Sequence, residues 1–436
     1  MPNRARRHNG NNNKLLPEDR AAHEWYRFVL SFPPHLVRDY IQRFGLGETH
    51  RVLDPFCGTG TTLVECKKHG IPSVGIEANP MAHFASQVKV DWSPSPDGLK
   101  SHAHRIAKRA LAELEKEGIE DTPLLIGRHT YKDLRSLSPE QEKLLLTHSI
   151  SPLPLHKVLV LLDCLKQYRD PEYDPHERLA LAKALVFSIS NLVFGPEVGV
   201  GAAKADAPVV SAWLAEVDTM ARDLIELQGL NPTPSTVHLA DARQLELLQP
   251  DSIDAVITSP PYPNEKDYTR TTRLESVLLG FLQSRDDLRA VKQNLVRSNT
   301  RSVYKVDSDD AWAKAYPEIE GIAEAIEARR IELGKTSGFE RLYPRVTKLY
   351  FGGMARHLAE LRRVLHPGAH MAYVVGDQAS YLRVMIRTGK ILSEIGQSLG
   401  YELVGIDLFR TRLATATGEQ LREEVVVLRW PGEKRR

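Results

Sequence analysis

Cysteine is scarce in this chain of 436 residues. Three occur, Cys57, Cys66 and Cys164, and no two of them have the spacing of a CxxC pair. A sparse, odd-numbered set excludes a disulfide-built miniprotein and favours a reducing compartment. The sequence therefore predicts a cytoplasmic protein.

Long apolar runs are also missing. Apolar residues make up 42% of the chain and charged residues 26%, which is ordinary for a globular protein and provides no stretch as long as a membrane span. The basic segment 1–14 is followed by the charged stretch LPEDRAAHEW instead of an apolar core, so it does not read as a secretory signal. Neither membrane insertion nor export is expected.

An excess of charge of one sign is absent too, because 58 Lys and Arg stand against 56 Asp and Glu. The net charge of +2 gives no argument for a polyanionic partner. Two stretches, 266–305 and 327–363, are locally basic, and they read either as a nucleic-acid contact or as solvated helix faces. The sixteen histidines lack the spacing of metal ligands, so no metal site is expected.

Short apolar segments bounded by turns alternate with amphipathic segments at both ends of the chain. Seven segments read as strands: RVLDPF, PSVGIEAN, STVHLADA, DAVITSPPY, HMAYVVGD, YELVGIDLFR and EEVVVLRW. The residues between Glu77 and Asp241 are far too many for one crossover helix, and their periodicity is helical. We therefore predict an α/β fold with one doubly wound, mostly parallel sheet, an antiparallel last strand and a large helical insertion.

The segment LDPFCGTGTT at 53–62 places two glycines, Gly58 and Gly60, between a strand and a helix. Glycine lets the backbone approach a ligand, and a helix N-terminus offers free N–H groups. A dinucleotide fingerprint needs a third glycine where Leu63 stands, so a nicotinamide enzyme is disfavoured. Glu77, which ends the next strand, can accept hydrogen bonds from ribose hydroxyls.

The segment TSPPYPNEKDYTR at 258–270 carries the most specific chemistry. Ser259, Pro260, Pro261 and Tyr262 follow a buried strand and combine a hydroxyl, a rigid turn with exposed carbonyls and an aromatic face. A hydroxyl and a carbonyl can accept the two N–H bonds of an exocyclic amine while the ring stacks on its heterocycle. The alternative interpretation is an ordinary Pro-Pro turn with a core tyrosine.

Together, these motifs resemble the S-adenosylmethionine-dependent DNA amino-methyltransferases, which modify cytosine N4 or adenine N6. DPFCGTGTT resembles their cofactor loop and TSPPY their catalytic tetrapeptide, while FPPHLV at 32–37 is similar to the segment beside the methionine moiety. The resemblance covers residues 25–92, 235–284 and 351–430. It implies a Rossmann-like methyltransferase sheet.

The resemblance also implies roles for individual residues. S-adenosylmethionine is the expected cofactor, with Glu77 on its ribose and Asp241 on its adenine amine. The other expected cofactor contacts are Pro34, Asp54, Pro55, Phe56, Gly58, Gly60, Thr61 and Thr62. The expected catalytic residues are Ser259, Pro260, Pro261 and Tyr262.

A serine at the head of the tetrapeptide occurs mostly in the cytosine-N4 enzymes of this family. We therefore expect N4 methylation of a cytosine flipped out of duplex DNA, with adenine N6 as the close alternative. An RNA amino-methyltransferase and a catalytically silent nucleic-acid-binding module stay open. Cytosine-C5 chemistry is disfavoured, because it needs a nucleophilic thiol, commonly after proline, and no cysteine here follows one.

The expected partner is double-stranded DNA, and a restriction endonuclease of the same system is a further candidate. Phosphate contacts are expected from basic residues that follow the tetrapeptide: Lys266, Arg270, Arg285, Arg289, Arg297 and Arg301. The predicted division of the chain is a disordered basic tail (1–20), the cofactor-binding half of the core (21–96), the helical insertion (97–228), the catalytic half (229–284), a basic insertion that is one candidate for target recognition (285–350) and the C-terminal part of the core (351–436).

Overall fold

The structure is a computed structural model that describes residues 15–27, 31–122, 131, 133–194, 198–413, 418 and 420–432. The segment 1–14 of the predicted tail lies outside these residues. Residues 15–20 belong to the same predicted tail, but Pro17–Asp19 forms a 3₁₀ turn, and buried Asp19 accepts a hydrogen bond of 2.7 Å from Arg38. The prediction of disorder is wrong for this part, because the ion pair holds it on the core.

Within the described residues, seven strands form one sheet and two form a separate hairpin. The sheet strands are β1 (Val52–Asp54), β2 (Ser73–Glu77), β5 (Ser235–Leu239), β6 (Ile253–Thr258), β7 (Leu365–Gly376), β8 (Glu402–Leu413) and β9 (Gln420–Arg429). The hairpin consists of β3 (Leu192–Phe194) and β4 (Val198–Val200).

The strand order of the sheet is β5-β2-β1-β6-β7-β9-β8. Strand β9 runs antiparallel to both of its neighbours, and the remaining pairs are parallel. The predicted fold class is confirmed: a doubly wound, mostly parallel Rossmann-like sheet with an antiparallel last strand and a large helical insertion.

The helices cover both faces of this sheet. Their bounds are α1 (Arg20–His23), α2 (Pro34–Arg43), α3 (Thr61–Lys68), α4 (Pro80–Val90), α5 (Pro96–Lys116), α6 (Pro139–Glu142), α7 (Pro152–Gln167), α8 (Asp174–Ala184), α9 (Val210–Leu227), α10 (Tyr268–Thr271), α11 (Arg273–Leu278), α12 (Arg285–Asn294), α13 (Asp310–Ala313), α14 (Pro317–Glu332), α15 (Tyr343–Leu361) and α16 (Thr388–Ser398). None of the helices in the described ranges is long and apolar enough to cross a membrane.

Alternate residues of the buried strands pack in opposite directions, as the two-residue period of a strand requires. Val52 and Ile257 pack with α2, whereas Leu53 and Val256 pack with α15 and α16. A third apolar cluster joins α3 and α4 to the helical insertion, through large side chains such as Trp213. The insertion therefore shares a continuous core with the cofactor-binding half.

The structure departs in three places from the predicted division of the chain and from the helical periodicity of the insertion. The predicted boundary at 350/351 falls inside α15, which begins at Tyr343. The segment SPEQEKLLLTHS contains only the four-residue α6, which a capping box at Ser138 starts. The apolar pattern of α8 continues into a π turn and then into β3, where the side chain of Asn191 bonds the His148 carbonyl and Ser151 Oγ and fixes a change of direction.

Gly352 on α15 tests how closely the segment after α12 packs on the core. A Cβ at this position would lie 1.9 Å from the Asp309 carbonyl oxygen. We expect Gly352→Ala to lower the free energy of unfolding by roughly 1–3 kcal/mol, because overpacking against backbone outweighs the better helix propensity of alanine. Urea denaturation measures this change.

Gly321 on α14 is the matched control, since among the described residues nothing lies within 4 Å of its Cβ position. Gly321→Ala should raise the free energy of unfolding by roughly 0.5–1 kcal/mol. Equal stabilisation by both substitutions would contradict the packing of Asp309 on α15.

Candidate active site

A cavity of about 410 Å³ lies at the carboxyl ends of β1, β2, β5 and β6. This is the edge of a doubly wound sheet at which ligands bind. The cavity brings together residues of both sequence motifs: Pro55, Phe56, Gly58, Thr61, Glu77 and Asp241 from the predicted cofactor set, and Ser259, Pro260, Pro261 and Tyr262 from the predicted catalytic set.

The turn after β1 is compact because two glycines adopt left-handed conformations. Gly58 has φ of +52° and Gly60 has φ of +83°, a region that residues with a Cβ rarely occupy. Ser86 Oγ donates a 2.7 Å hydrogen bond to the Gly58 carbonyl, and a Cβ on Gly60 would lie 3.1 Å from this Ser86 oxygen. At Gly58 the turn thus presents backbone to the cavity.

Glu77 lies at the end of β2 and faces this turn. Its Oε2 accepts a 2.9 Å hydrogen bond from the Gly58 N–H, and its Oε1 accepts a 2.8 Å bond from the Asn79 N–H. Burial raises the pKa of the Glu77 carboxyl to about 7, despite these two bonds. Each oxygen keeps a lone pair with which it can accept a further donor.

Asp54 lies beneath the cavity instead of lining it. Its Oδ1 accepts hydrogen bonds from Thr258 Oγ1 at 2.6 Å and from the Phe56 N–H at 3.1 Å. Its Oδ2 is buried and has no hydrogen-bond partner among the residues that the structure describes. Burial raises the pKa of this carboxyl to about 6. Because Asp54 does not line the cavity, its carboxylate can act on a ligand there through its charge and through the turn that it holds.

Asp241 lines the cavity and is already engaged by Arg243. The Arg243 Nε and Nη2 atoms lie 2.9 Å and 2.6 Å from the two Asp241 oxygens. Arg243 is itself buried and also donates to Asp309 and to the Gln293 carbonyl. This contact was not predicted, because Asp309 lies in an irregular segment just before α13. Asp241 is thus held rigidly while it keeps acceptor capacity toward a ligand.

Three other predicted cofactor contacts also lie outside the cavity lining, and this corrects the expectation for them. Pro34 is buried at the first turn of α2, and Ser31 and Phe32 line the cavity in its place. Gly60 lies on the side of the turn that packs against Ser86, and its left-handed conformation shapes the turn. Thr62 donates a 3.0 Å hydrogen bond to the Ile257 carbonyl, so its hydroxyl joins α3 to β6.

The Ser259 hydroxyl has a fixed orientation. Its Oγ donates a 3.1 Å hydrogen bond to the Val374 carbonyl of β7. A hydroxyl has one proton and two lone pairs, so with its proton on this carbonyl Ser259 Oγ keeps lone pairs that can accept. The Tyr262 hydroxyl also lies within side-chain hydrogen-bonding reach of Ser259. The Tyr262 ring packs on Gly376, whose Cβ position is 2.9 Å from Tyr262 Cε2. The strand β7 therefore positions both the hydroxyl and the aromatic face.

The cavity contains residues that the sequence analysis did not select. Arg410 and Arg412 of β8 and Glu423 of β9 lie near Tyr262, and the β3–β4 hairpin contributes Phe194 and Val198. Their positions depend on strand pairing and on the hairpin inside the insertion. For Arg410, Arg412 and Glu423, the available sequence signal was two arginines spaced two residues apart on one predicted strand and a glutamate on the next.

The predicted DNA contacts fall into two groups. Lys266 lines the cavity and Arg270 is half-buried, whereas Arg285, Arg289 and Arg301 are exposed. The Arg289 guanidinium lies 5.4 Å from the Tyr304 ring centroid, and that of Arg301 lies 5.8 Å from the Phe339 centroid. These aromatic contacts leave the guanidinium edges able to donate.

Arg297 does not fit the predicted role. Its side chain is 3% exposed, and its Nη2 and Nε atoms donate to both oxygens of Asp307 at 2.8 Å and 3.0 Å. Its Nη1 donates to the Lys292 carbonyl at 2.7 Å. The prediction of a phosphate contact is wrong for Arg297, because it holds the loop after α12 together.

The second basic stretch, 327–363, is neutralised by neighbouring carboxylates to a large extent. The ion pairs are Arg329–Glu332, Arg330–Glu327, Arg345–Asp310, Lys348–Glu320 and Arg356–Asp309. For these residues, the interpretation as a solvated helix face fits better than that of a phosphate-binding surface.

The three cysteines are free and buried, and burial raises the pKa of the Cys57 and Cys66 thiols well above the usual value. A thiol in this state is a poor nucleophile. Across the described ranges, no group of three or more His, Cys, Asp or Glu side chains has an arrangement that could hold a metal ion. The polar lining of the cavity includes carboxylates, hydroxyls, amides, lysines and arginines.

Comparison with known proteins gives a consistent result over nearly the whole chain. A family model described as DNA methylase matches residues 3–87, which include the turn after β1 and Glu77. The type II methyltransferase M.BsoBI of Geobacillus stearothermophilus is 26% identical over 94% of this chain and 85% of its own length. M.AvaI of Nostoc is 25% identical over 96% of this chain and 88% of its own length.

Solved structures give only weak superpositions. A S-adenosylmethionine-dependent methyltransferase of Methanosarcina mazei has a TM-score of 0.31 at 10% identity, over 90% of this chain and 98% of its own. The rRNA methyltransferase aviRa of Streptomyces viridochromogenes has a TM-score of 0.30 at 10% identity, over 94% and 88%. The fold assignment rests on the strand order given above.

The matched family model includes the turn after β1, which we call the cofactor turn. The relatives that match over most of their own length are type II methyltransferases. The cavity also holds an SPPY turn next to this cofactor turn. The chain is thus similar to DNA methylases at the turn after β1 and to type II methyltransferases over nearly its whole length, in keeping with the resemblance to the S-adenosylmethionine-dependent DNA amino-methyltransferases that the motifs indicate.

Proposed function

We propose that the protein methylates the exocyclic N4 amine of a cytosine flipped out of duplex DNA, at a specific site. The observation that carries this proposal is the orientation of Ser259. Its hydroxyl proton is directed to the Val374 carbonyl, so an acceptor faces the cavity that also contains the cofactor turn. The lone pair of an exocyclic amine is delocalised into the ring of the base. A hydrogen-bond acceptor at this place would hold an N–H of that amine and favour a nitrogen whose lone pair is localised.

The cavity fits the cofactor on the chemistry of its donors and acceptors. The turn at Gly58 exposes backbone, Glu77 offers acceptors for ribose hydroxyls, and Asp241 offers acceptors for an adenine amine. Asp54, beneath the lining, holds the turn through the Phe56 N–H and places a negative charge near the positive end of the methionine moiety. When bound, S-adenosylmethionine supplies an electrophilic methyl group.

The chain's own residues activate and orient the amine. Acceptor bonds to Ser259 Oγ and to the Pro260 carbonyl favour a pyramidal nitrogen and aim its lone pair. Tyr262 offers its ring face to the flipped base. A serine is too weak a base to take the proton itself, so we assign Ser259 to orientation.

The choice of cytosine rests on the serine at the head of the tetrapeptide, and adenine N6 is the second candidate. We also propose that Lys266, Arg270, Arg285, Arg289 and Arg301 contact DNA phosphates, and that target recognition lies in 285–350 or in the helical insertion. A restriction endonuclease of the same system is the proposed biological partner, and a cytoplasmic location stays a prediction.

Nucleoside mass spectrometry tests the proposal directly. The protein is incubated with unmethylated genomic DNA and methyl-labelled cofactor, and the digested nucleosides are analysed, with matched RNA as a parallel substrate. N4-methylcytosine from DNA is the expected product. N6-methyladenine alone would overturn the base assignment, and labelled RNA alone would overturn the substrate class.

Ser259→Ala should lower the single-turnover rate of methyl transfer by roughly tenfold to a thousandfold, with cofactor affinity nearly unchanged, because the acceptor acts on the amine during transfer. Ser252→Ala, which removes an exposed hydroxyl bonded to the Gln249 carbonyl, is the control and should retain the parental rate. Full activity of Ser259→Ala would remove the hydroxyl from the mechanism.

Cofactor affinity should depend on pH through Glu77. Burial raises its pKa to about 7, and ribose hydroxyls that donate to the carboxylate favour the ionised form. Binding should therefore release a proton, and affinity should fall as pH drops below about 7 and level off above it. Calorimetry in buffers of different ionisation enthalpy measures this release.

Glu77→Gln is the control for this titration, because it keeps the shape and cannot ionise. It should bind more weakly at pH 8 and lose the pH dependence near 7, while Asp54, whose pKa is about 6, still contributes at lower pH. An identical pH profile in both proteins would exclude Glu77 as the titrating group.

The exposed arginines should set the salt dependence of DNA binding. The triple substitution of Arg285, Arg289 and Arg301 by glutamine should reduce the slope of log affinity against log salt by up to about 2.7, at roughly 0.9 per phosphate contact. Replacement of the ion-paired Arg329 and Arg330 by glutamine is the control and should leave the slope unchanged. An unchanged slope in the triple variant would make these arginines a solvated surface.

A further inference from the structure

Two arginines and one carboxylate form a clamp at the catalytic end of the cavity. Arg410 of β8 lies directly across from Glu423 of β9 in the strand register, and Arg412 follows two residues later on the same face. Arg410 Nε donates to Glu423 Oε2 at 2.5 Å, and Arg412 Nε lies 3.4 Å from Oε1. All three residues line the cavity.

The clamp lies beside the residues that receive the target base. Glu423 pairs with Gly376 across β9 and β7, and its Cγ is 3.3 Å from the Gly376 Cβ position. The Tyr262 ring contacts this same position at 2.9 Å. The Tyr262 ring and the Glu423 side chain thus both pack against Gly376.

The charges favour a ligand with acceptor atoms. The Glu423 side chain is 10% exposed, whereas those of Arg410 and Arg412 are 29% and 41% exposed, and one carboxylate balances only one of the two cations. The closest atom in each ion pair is Nε, and the two Nη groups of a guanidinium hold four of its five N–H donors. Arg410, with the shorter ion pair, is the more rigidly held of the two.

We infer that Arg410 reads the Watson–Crick edge of the flipped base and selects cytosine. Next to its N4 amine, cytosine presents two acceptors in a row, N3 and O2, which match the two parallel N–H bonds of a guanidinium. Adenine presents one acceptor, N1, and then a C–H group. An adenine in the same place would leave one buried donor without a partner.

Glu423 is the positioning residue of this clamp, because it contacts Arg410 and not the base. The inference rests on the proposed function, since it names the base that the site accepts. Its chemistry is independent of Ser259, because it concerns N3 and O2 instead of the amine.

The test is a double-mutant cycle between the protein and the base. A duplex carrying the site that wild-type protein methylates is prepared with cytosine or with 3-deazacytosine, in which a C–H group replaces N3, at the target. Single-turnover methyl transfer is measured with wild-type protein and with Arg410→Gln. On cytosine, Arg410→Gln should be roughly tenfold to a hundredfold slower. On 3-deazacytosine, the two proteins should differ much less.

Two further variants keep the test independent of folding. Arg429→Gln removes an exposed arginine that pairs with Glu402 on the same two strands, at 2.9 Å and away from the cavity, and it should behave as wild type. Glu423→Gln should slow transfer on cytosine less than Arg410→Gln, and its deficit should shrink on 3-deazacytosine in the same way.

The outcomes separate this inference from the proposed function. Equal losses with Arg410→Gln on both bases, together with a smaller salt slope, would make Arg410 a phosphate contact and overturn the inference while N4 methylation stands. Parental rates in Arg410→Gln would overturn it as well. If wild-type protein forms only N6-methyladenine, the base assignment and the clamp's role both fall.

Discussion

One hydrogen bond joins the two halves of the active site. Thr258 Oγ1 donates to Asp54 Oδ1 at 2.6 Å, across the adjacent parallel strands β6 and β1. The bond connects the residue just before the SPPY turn to the first residue of the cofactor turn, 204 positions away in sequence. Because the bond is buried, loss of Asp54 would leave the Thr258 hydroxyl without this partner, and loss of Thr258 would leave Asp54 Oδ1 with the bond from the Phe56 N–H.

Parallel pairing explains why such distant segments meet. Strands β2, β1, β6 and β7 lie side by side and point in one direction, so their carboxyl ends form one edge. A second bond, from Thr62 Oγ1 to the Ile257 carbonyl, repeats the connection in the first turn of α3. The sheet thus brings together the turn after β1 and the SPPY turn, and the insertions lie outside this arrangement.

The sequence predicted the sheet well because its strands are buried apolar runs that end in turns. It also predicted which motifs would meet, since strand ends in such a sheet share an edge. It did not predict β3, because the segment NLVF continues the apolar pattern of α8 and changes conformation only through Asn191 and the π turn. Local periodicity contains no information about such tertiary hydrogen bonds.

Side-chain partners were harder to predict than strands. Arg297 belongs to a basic cluster in sequence, yet Asp307 and nearby carbonyls bury it. The pairing of Arg410 with Glu423 depends on a register shift between Leu408 and Arg410, and a one-residue shift decides which side chains face each other. Pro34 and Thr62 were also predicted to contact the cofactor, but their neighbours Phe32 and Thr61 line the cavity. At the start of a helix, side chains one or two positions apart point in different directions.

The Asp241–Arg243–Asp309 chain has a thermodynamic consequence. Asp241 lines the cofactor end of the cavity, and Asp309 belongs to the segment that packs on Gly352 of α15 within the basic insertion. If DNA binding shifts this segment, the contact of Arg243 with Asp241 changes with it, and so does the free energy of cofactor binding. Linkage is reciprocal: if DNA tightens the hold on the cofactor by some factor, the cofactor tightens the hold on DNA by the same factor. The order in which the two substrates arrive would then affect the rate of assembly and leave the stability of the ternary complex unchanged.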